Sequence, residues 1–379
     1  MPSHASLFTG LPPFAHGAHT FETDKPGNNV APLAHEHLTL AEALEGEGYR
    51  TGAFVANAGY LGRRWQLDQG FETYEVARTY AVKLNRRIFD WLAVEDERPF
   101  FLFINYMDAH RPYNTRPRPG FIDPPARRDN GKLLNKLISA VMREGGSVPE
   151  QLRQQVIDQY DTAVANVDEG FGAFLDELER LGLDGETIVL FTSDHGEYFG
   201  EHRLVEHSKD VYEEALRVPL IVRAPGGIQG VVDKTLVVSN DVPHLLLSLF
   251  PRGIRRRLLP SFPDAPGEHV VLAENYFTRT KDLFRPRTGH RFRRVRRAVF
   301  DWPYKYIWSS DERHELYHLE DDPTESTNLA PRAPGIAARL NAELEELDRT
   351  PGMPRPPVTL PALTEEESER LRALGYLGD

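Results

Sequence analysis

Three side chains in this 379-residue chain have the type and setting to do chemistry on an anion: His110, Asp194 and His195. Asp194 and His195 adjoin in TSDHGEYFG, residues 192–200, directly after an apolar run. A carboxylate and a neutral imidazole at a tight, glycine-containing turn can point into one crevice and hold a divalent cation. The alternative is structural, with Asp194 capping a helix and His195 packing on a sheet. Glu197, Glu201, His202 and His207 all follow within thirteen residues of Asp194, and that density favours function.

His110 ends a second apolar run within DAHRPY and stands beside Arg111. It is either a hydrogen-bonded structural residue or a group that binds an anion and protonates a leaving group. Asn57 ends a shorter run in VAN, where a turn role and a substrate-binding role both remain open.

Something must position these residues, and the pattern around them is that of an α/β domain. Apolar runs alternate with helix-period segments through the first two thirds of the chain. TGAFV at 51–55, PFFLFINY at 99–106, TIVLFT at 187–192 and RVPLIVR at 217–223 read as strands; the second, apolar almost throughout, suits a parallel strand covered on both faces. Thr39 to Glu42 has the form of a capping box, and Ser147 to Glu150 opens a long helix that runs to about Leu183. Residues 114–148, rich in Pro, Arg, Asn and Gly, read as a surface excursion suited to a lid or substrate loop. In open α/β sheets, ligands bind at the carboxyl ends of strands, which is where Asn57, His110, Asp194 and His195 fall.

The texture changes from about residue 268. Short alternating stretches at 270–277, 297–300, 305–308 and 316–318, with a helix near 336–347, predict a small C-terminal α+β subdomain with an antiparallel sheet. The expected division is therefore 1–260, 261–350 and a Pro-rich, then acidic tail at 351–379.

Composition narrows the function. A net charge of −12 argues against a nucleic-acid partner, since a phosphate backbone is met by a net basic face. Without cysteine there is no disulfide, zinc-thiolate site or cysteine nucleophile within these residues. There is no membrane-spanning apolar run, and residues 1–20 lack the features of a signal peptide, so a cytoplasmic location is expected. An upstream N-terminus could still carry a signal.

Taken together, these segments resemble the sulfatase family of the alkaline phosphatase superfamily. The run TSDHGEYFGEHRLVEHSKDVYEEALRVPLIVRAPG, residues 192–226, is similar to the family's metal-binding turn, basic active-site position and following strand, in order. PSHASLFTGLPPFAHGAH resembles the nucleophile turn and its helix; GYRTGAF, YMDAHRPY, YKYI, ELYHLEDDPTESTNLA and LRALGYLGD extend the likeness to the C-terminus.

The resemblance implies an alkaline phosphatase-like fold, a mostly parallel sheet with helices on both faces, and cleavage of sulfate monoesters by a metal-assisted nucleophile. It implies Asp194 and His195 as metal ligands, with Ca2+ expected and Mg2+ or Mn2+ as alternatives. His110, His207 and His4 are implied as catalytic groups, and Asn57 and Lys209 as substrate-binding ones. The implied substrate is a small anionic ester or a sulfated carbohydrate.

Two departures follow from the same resemblance. In the formylglycine-dependent members the catalytic residue lies two places before the motif's Pro, so the nucleophile is expected upstream of Pro2, with the first strand and its paired acidic ligands. The chain therefore resembles an N-terminally truncated member. The motif's Arg is His4 here, a titratable donor in place of a fixed cationic fork. A Thr or Ser nucleophile, as in phosphate-transferring relatives, fits PSHAS equally, which leaves phosphate or phosphonate ester hydrolysis and an inactive remnant as alternatives.

Overall fold

The computed structural model describes residues 1–23, 29–113, 117–118, 121–122, 129–143, 147–227, 230–232, 235–262, 271–285 and 288–349. The expected tail at 351–379 and the boundary near 261 lie largely outside them. The chain opens on a helix, Pro2–Thr9, with proline in its first turn, where a missing N–H costs nothing. Gly10, at φ 71°, ends it in the left-handed conformation. The capping box at Thr39 forms as expected and starts the helix Leu40–Gly46.

Three parallel strands form the first sheet: β1 (Arg50–Val55) lies between β2 (Thr73–Val76) and β3 (Phe100–Asn105). β1 is buried throughout, as a central parallel strand should be. The helices Ala81–Leu92 and Glu150–Arg180 pack on it through Phe54, Leu84, Ile88, Phe174 and Leu178. On the other face, Ala5 and Phe8 of the first helix meet Ala53, Val55 and Phe71.

β4 (Val189–Thr192) leads into Asp194. Its partner β7 (Leu220–Arg223) runs antiparallel to it, an exception within the mostly parallel sheet expected from sequence. Between them lies a small hairpin of β5 (Tyr198–Phe199) and β6 (Val205–Glu206), which reverses the chain. β7 is also more open than a core strand, with Ile221 at 59% exposure. Among the described residues no strand pairs with the outer edges of β3 and β4, although both contribute to one apolar cluster.

The segment 114–148 is not a loop throughout. Within it the helix Lys132–Val141 buries Leu134, Leu137, Ile138 and Val141, the i, i+3, i+4, i+7 stripe of a core-facing helix. The long helix starts at Glu150 without a side-chain cap and ends at Arg180.

The C-terminal part is a four-stranded antiparallel sheet in the order β11-β10-β9-β8, made of β8 (Val271–Asn275), β9 (Arg296–Asp301), β10 (Tyr304–Ser309) and β11 (Glu315–His318). The helix Pro334–Arg349 covers one face through Leu340 and Leu344. The other face shares a cluster with Tyr198, Leu204, Val211 and Tyr212, so this sheet packs directly behind the β5–β6 hairpin.

Candidate active site

The carboxyl ends of β3 and β4, the β5–β6 hairpin and the start of the first helix converge. β4 delivers Asp194 and His195, and Gly196 makes the turn possible. A Cβ on Gly196 would stand 2.1 Å from the Glu214 carbonyl oxygen, while its N–H donates to Ala215 O at 2.8 Å. Only a residue without a side chain lets the loop lie this close.

Asp194 Oδ2 lies 3.5 Å from His195 Nε2 and 3.6 Å from His4 Nδ1. His4 sits on the first turn of the helix Pro2–Thr9, is 3% exposed, and its Nδ1 has no hydrogen-bond partner among the described residues. The helix N-terminus adds partial positive charge at this end. His195 Nδ1 lies 2.8 Å from its own neighbour's carbonyl, Gly196 O, and must carry the proton to donate there. In its neutral form the ring then turns an Nε2 lone pair toward the Asp194 carboxylate at 3.5 Å.

That juxtaposition suits a cation. Burial raises the Asp194 carboxyl, but His195 and His4 outweigh it, and the group is held well below the usual carboxylate range. Burial also pushes His4 down to about 4, so near pH 7 the ionised Asp194 carboxylate faces a neutral His4 imidazole. Asp194 and His195 thus fit part of a divalent-cation site. They supply fewer ligands than the six or more of a hard cation.

His207 completes the group. Its ring stacks on His195 at 4.1 Å between centroids, and that of His110 lies 5.4 Å away. His207 Nδ1 is 3.1 Å from Glu197 Oε1, and His110 Nδ1 is 2.8 Å from Arg111 O. Each ring is therefore fixed through Nδ1, leaving Nε2 as the basic nitrogen. Burial drives both pKa values down, His110 to about 4 and His207 well below its ordinary value. Burial likewise raises Glu197.

The other two expected residues have different surroundings. Asn57 Oδ1 accepts from the N–H groups of Gly59 at 3.1 Å and Tyr60 at 2.9 Å, the turn arrangement left open above. Lys209 Nζ donates to Val205 O at 2.6 Å and Glu206 Oε2 at 3.1 Å, and lies 3.9 Å from Asp282. Its ammonium is committed to these groups.

Motif reading missed Glu206, Arg279 and Lys281, because the last two come from the C-terminal part and no local pattern links them to His207. His202, Glu214 and Glu325 form another group of one His and two carboxylates. Lys305 Nζ already stands 2.8 Å from Glu325 Oε1, and His202 stacks on Tyr212 at 3.7 Å. That group ties the hairpin to the C-terminal sheet.

A parallel α/β sheet with an antiparallel C-terminal sheet, and with its histidines and carboxylate gathered at strand ends, defines a protein of the alkaline phosphatase-like class. The chain belongs to the sulfatase family, whose model, described as Sulfatase, matches residues 1–252. An ulvan-active sulfatase from Formosa agariphila is 25% identical over 401 residues, covering 91% of this chain and 72% of its own. An endo-4-O-sulfatase from Bacteroides thetaiotaomicron is 26% identical over 202 residues, covering 52% of this chain, and the match spans only 39% of that relative's length. A solved structure in complex with its substrate D-glucosamine-2-N,6-O-disulfate superposes with a TM-score of 0.64 at 20% identity, over 92% of this chain and 87% of that one.

Proposed function

We propose that this chain carries the active site of a sulfate monoester hydrolase, with a sulfated carbohydrate as the substrate class. The observation that carries this reading is the convergence of His4, His110, Asp194, His195 and His207 from four separate segments onto one strand-end cleft. Membership of the sulfatase family supports the reaction type, and the amino-sugar disulfate bound by one structural neighbour supports the substrate class.

Asp194 and His195 would hold a divalent cation, as the family generally does; Ca2+ is the favoured ion, with Mg2+ or Mn2+ as alternatives. When bound, the ion withdraws charge from a sulfuryl oxygen. The nucleophile is assigned to the position two places before Pro2, ahead of the helix whose first turn places His4 beside Asp194. His207, held at Nδ1 by Glu197, presents Nε2 to the transferred group. His110 is neutral when the cleft is empty; an arriving anionic ester raises its pKa, so that Nε2 can take up a proton and pass it to the leaving oxygen.

The test is cleavage of p-nitrophenyl sulfate by a chain extended upstream, compared with p-nitrophenyl phosphate and a phenyl phosphonate ester. Sulfate turnover that a chelator abolishes, and that Asp194→Ala lowers by at least about 100-fold, is the expected result. Preference for the phosphate or phosphonate ester moves the assignment to that substrate class, and activity untouched by Asp194→Ala removes that residue from the site.

A further inference from the structure

Glu206 immediately precedes His207, with φ at 66°, and is fully buried. Three cations and the amine of Lys281 surround this one carboxylate. Arg111 pairs with Oε1, Lys209 and Arg279 approach Oε2 at 3.1 and 2.9 Å, and Lys281 Nζ stands 3.9 Å from Oε1. The neighbouring carboxylate Asp282 meets Arg279 at 3.2 Å, Arg285 at 3.1 Å and Lys209 at 3.9 Å. Among these ion-paired groups, four cations, Arg111, Lys209, Arg279 and Arg285, and the amine of Lys281 face two carboxylates, leaving a surplus of positive charge in a largely dry place.

The surplus adjoins the cleft. Arg111 follows His110 and accepts that ring's hydrogen bond on its carbonyl, and Glu206 precedes His207. Arg279 is near enough to both rings for its charge to help hold their pKa values down. Lys281 is the least satisfied member. Its side chain is 14% exposed, and its one ion pair among the described residues is the 3.9 Å approach to Glu206. Burial pushes Lys281 down to about 6, with repulsion from Arg279 and Arg111 adding to the effect. A purely structural ion cluster would be expected to balance its charges, because each unpaired buried charge is costly.

We infer that Lys281, with Arg111 and Arg279, forms a subsite beside the histidine cleft for a second anionic group, a sulfate or carboxylate, on the same substrate. This deepens the sulfate-ester reading and rests on it: the cleft takes the scissile sulfate, and the C-terminal part selects doubly anionic sugars. An incoming anion offsets the repulsion around Lys281 and supplies its missing partner. Glu206 and Asp282 hold Arg279 and Lys209 in place, so Lys281 is the residue whose removal disturbs the packing least.

Binding calorimetry with three probes, at fixed ionic strength and with the cation present, tests this without turnover. The probes are a monosulfated hexosamine, its disulfated form, and a monosulfated uronic acid, the last two separating a second sulfate from a carboxylate. The wild type should bind at least one doubly anionic sugar about tenfold more tightly than the monosulfated one. Lys281→Met, and Lys281→Gln should the first variant fold poorly, should reduce that preference to less than about threefold with the melting temperature retained. Equal affinity for all three sugars, no binding of the doubly anionic ones, or an undiminished preference in both variants would overturn the subsite. Discrimination without sulfate cleavage would sink the hydrolase reading alone, whereas cleavage without discrimination would sink the subsite alone.

Discussion

At the scale of single residues, burial keeps three imidazoles of the cleft, His4, His110 and His207, neutral. His110 shows what this costs. Its folded pKa of about 4 lies below the ordinary 6.5, so between those values the unfolded chain binds more protons than the folded one. Stability therefore rises with pH through that window and is lost as pH falls from 6.5 toward 4. A shift of this size corresponds to about 3 kcal/mol from His110. Melting temperatures between pH 7 and 4.5 should fall, and His110→Gln should flatten the acid side of that profile; an unchanged slope would show that His110 does not titrate this way.

At the scale of elements, the TSDHG turn carries two demands at once. Asp194 and His195 must face the cleft, and the backbone at Gly196 must lie against Glu214 and Ala215. Gly196→Ala forces its Cβ into the Glu214 carbonyl, so the turn or the short helix Glu213–Leu216 must move. The expected cost is about 1–3 kcal/mol, the usual range for overpacking, read as a lower urea midpoint at unchanged m. Because the same shift moves Asp194 and His195, apparent cation affinity should weaken in parallel. The hairpin behind this turn bends through His202, Arg203, Glu206 and Ser208, all at positive φ, and that conformation brings Glu206 and His207 back against the cleft.

For the whole molecule, buried ion pairs bind the C-terminal sheet to the β5–β6 region. Lys305 on β10 is fully buried, with Nζ 2.9 Å from Glu213 and 2.8 Å from Glu325. Arg296 on β9, also fully buried, meets Asp210 at 2.9 Å and Glu315 at 2.8 Å. Removing one partner strands the other charges. Lys305→Met should lose about 3–5 kcal/mol and destabilise both parts of the chain, seen as a lower melting temperature. A second, independent unfolding transition in that variant would indicate that the sheet had detached, and an unchanged midpoint would show that the pair contributes nothing.

Sequence alone determined the strands β1, β3 and β4, the capping box at Thr39, the small C-terminal antiparallel sheet and the helix Pro334–Arg349. These rest on local periodicity and capping, which a short window of residues contains in full. It also singled out Asp194, His195 and His110, because each ends or closely follows an apolar run, while His207 came from the family resemblance. The helix Lys132–Val141 was hidden in a segment whose Pro and Arg content masked its apolar stripe. Only the tertiary structure decided that β7 runs antiparallel to β4, that Asn57 closes a turn and that the Lys209 ammonium is tied to Glu206. It alone brought Arg279 and Lys281 to the side of His207. Arg279 reaches Glu206 from 73 positions away and β7 pairs with β4 across the hairpin between them, and no local pattern encodes which of these residues will meet.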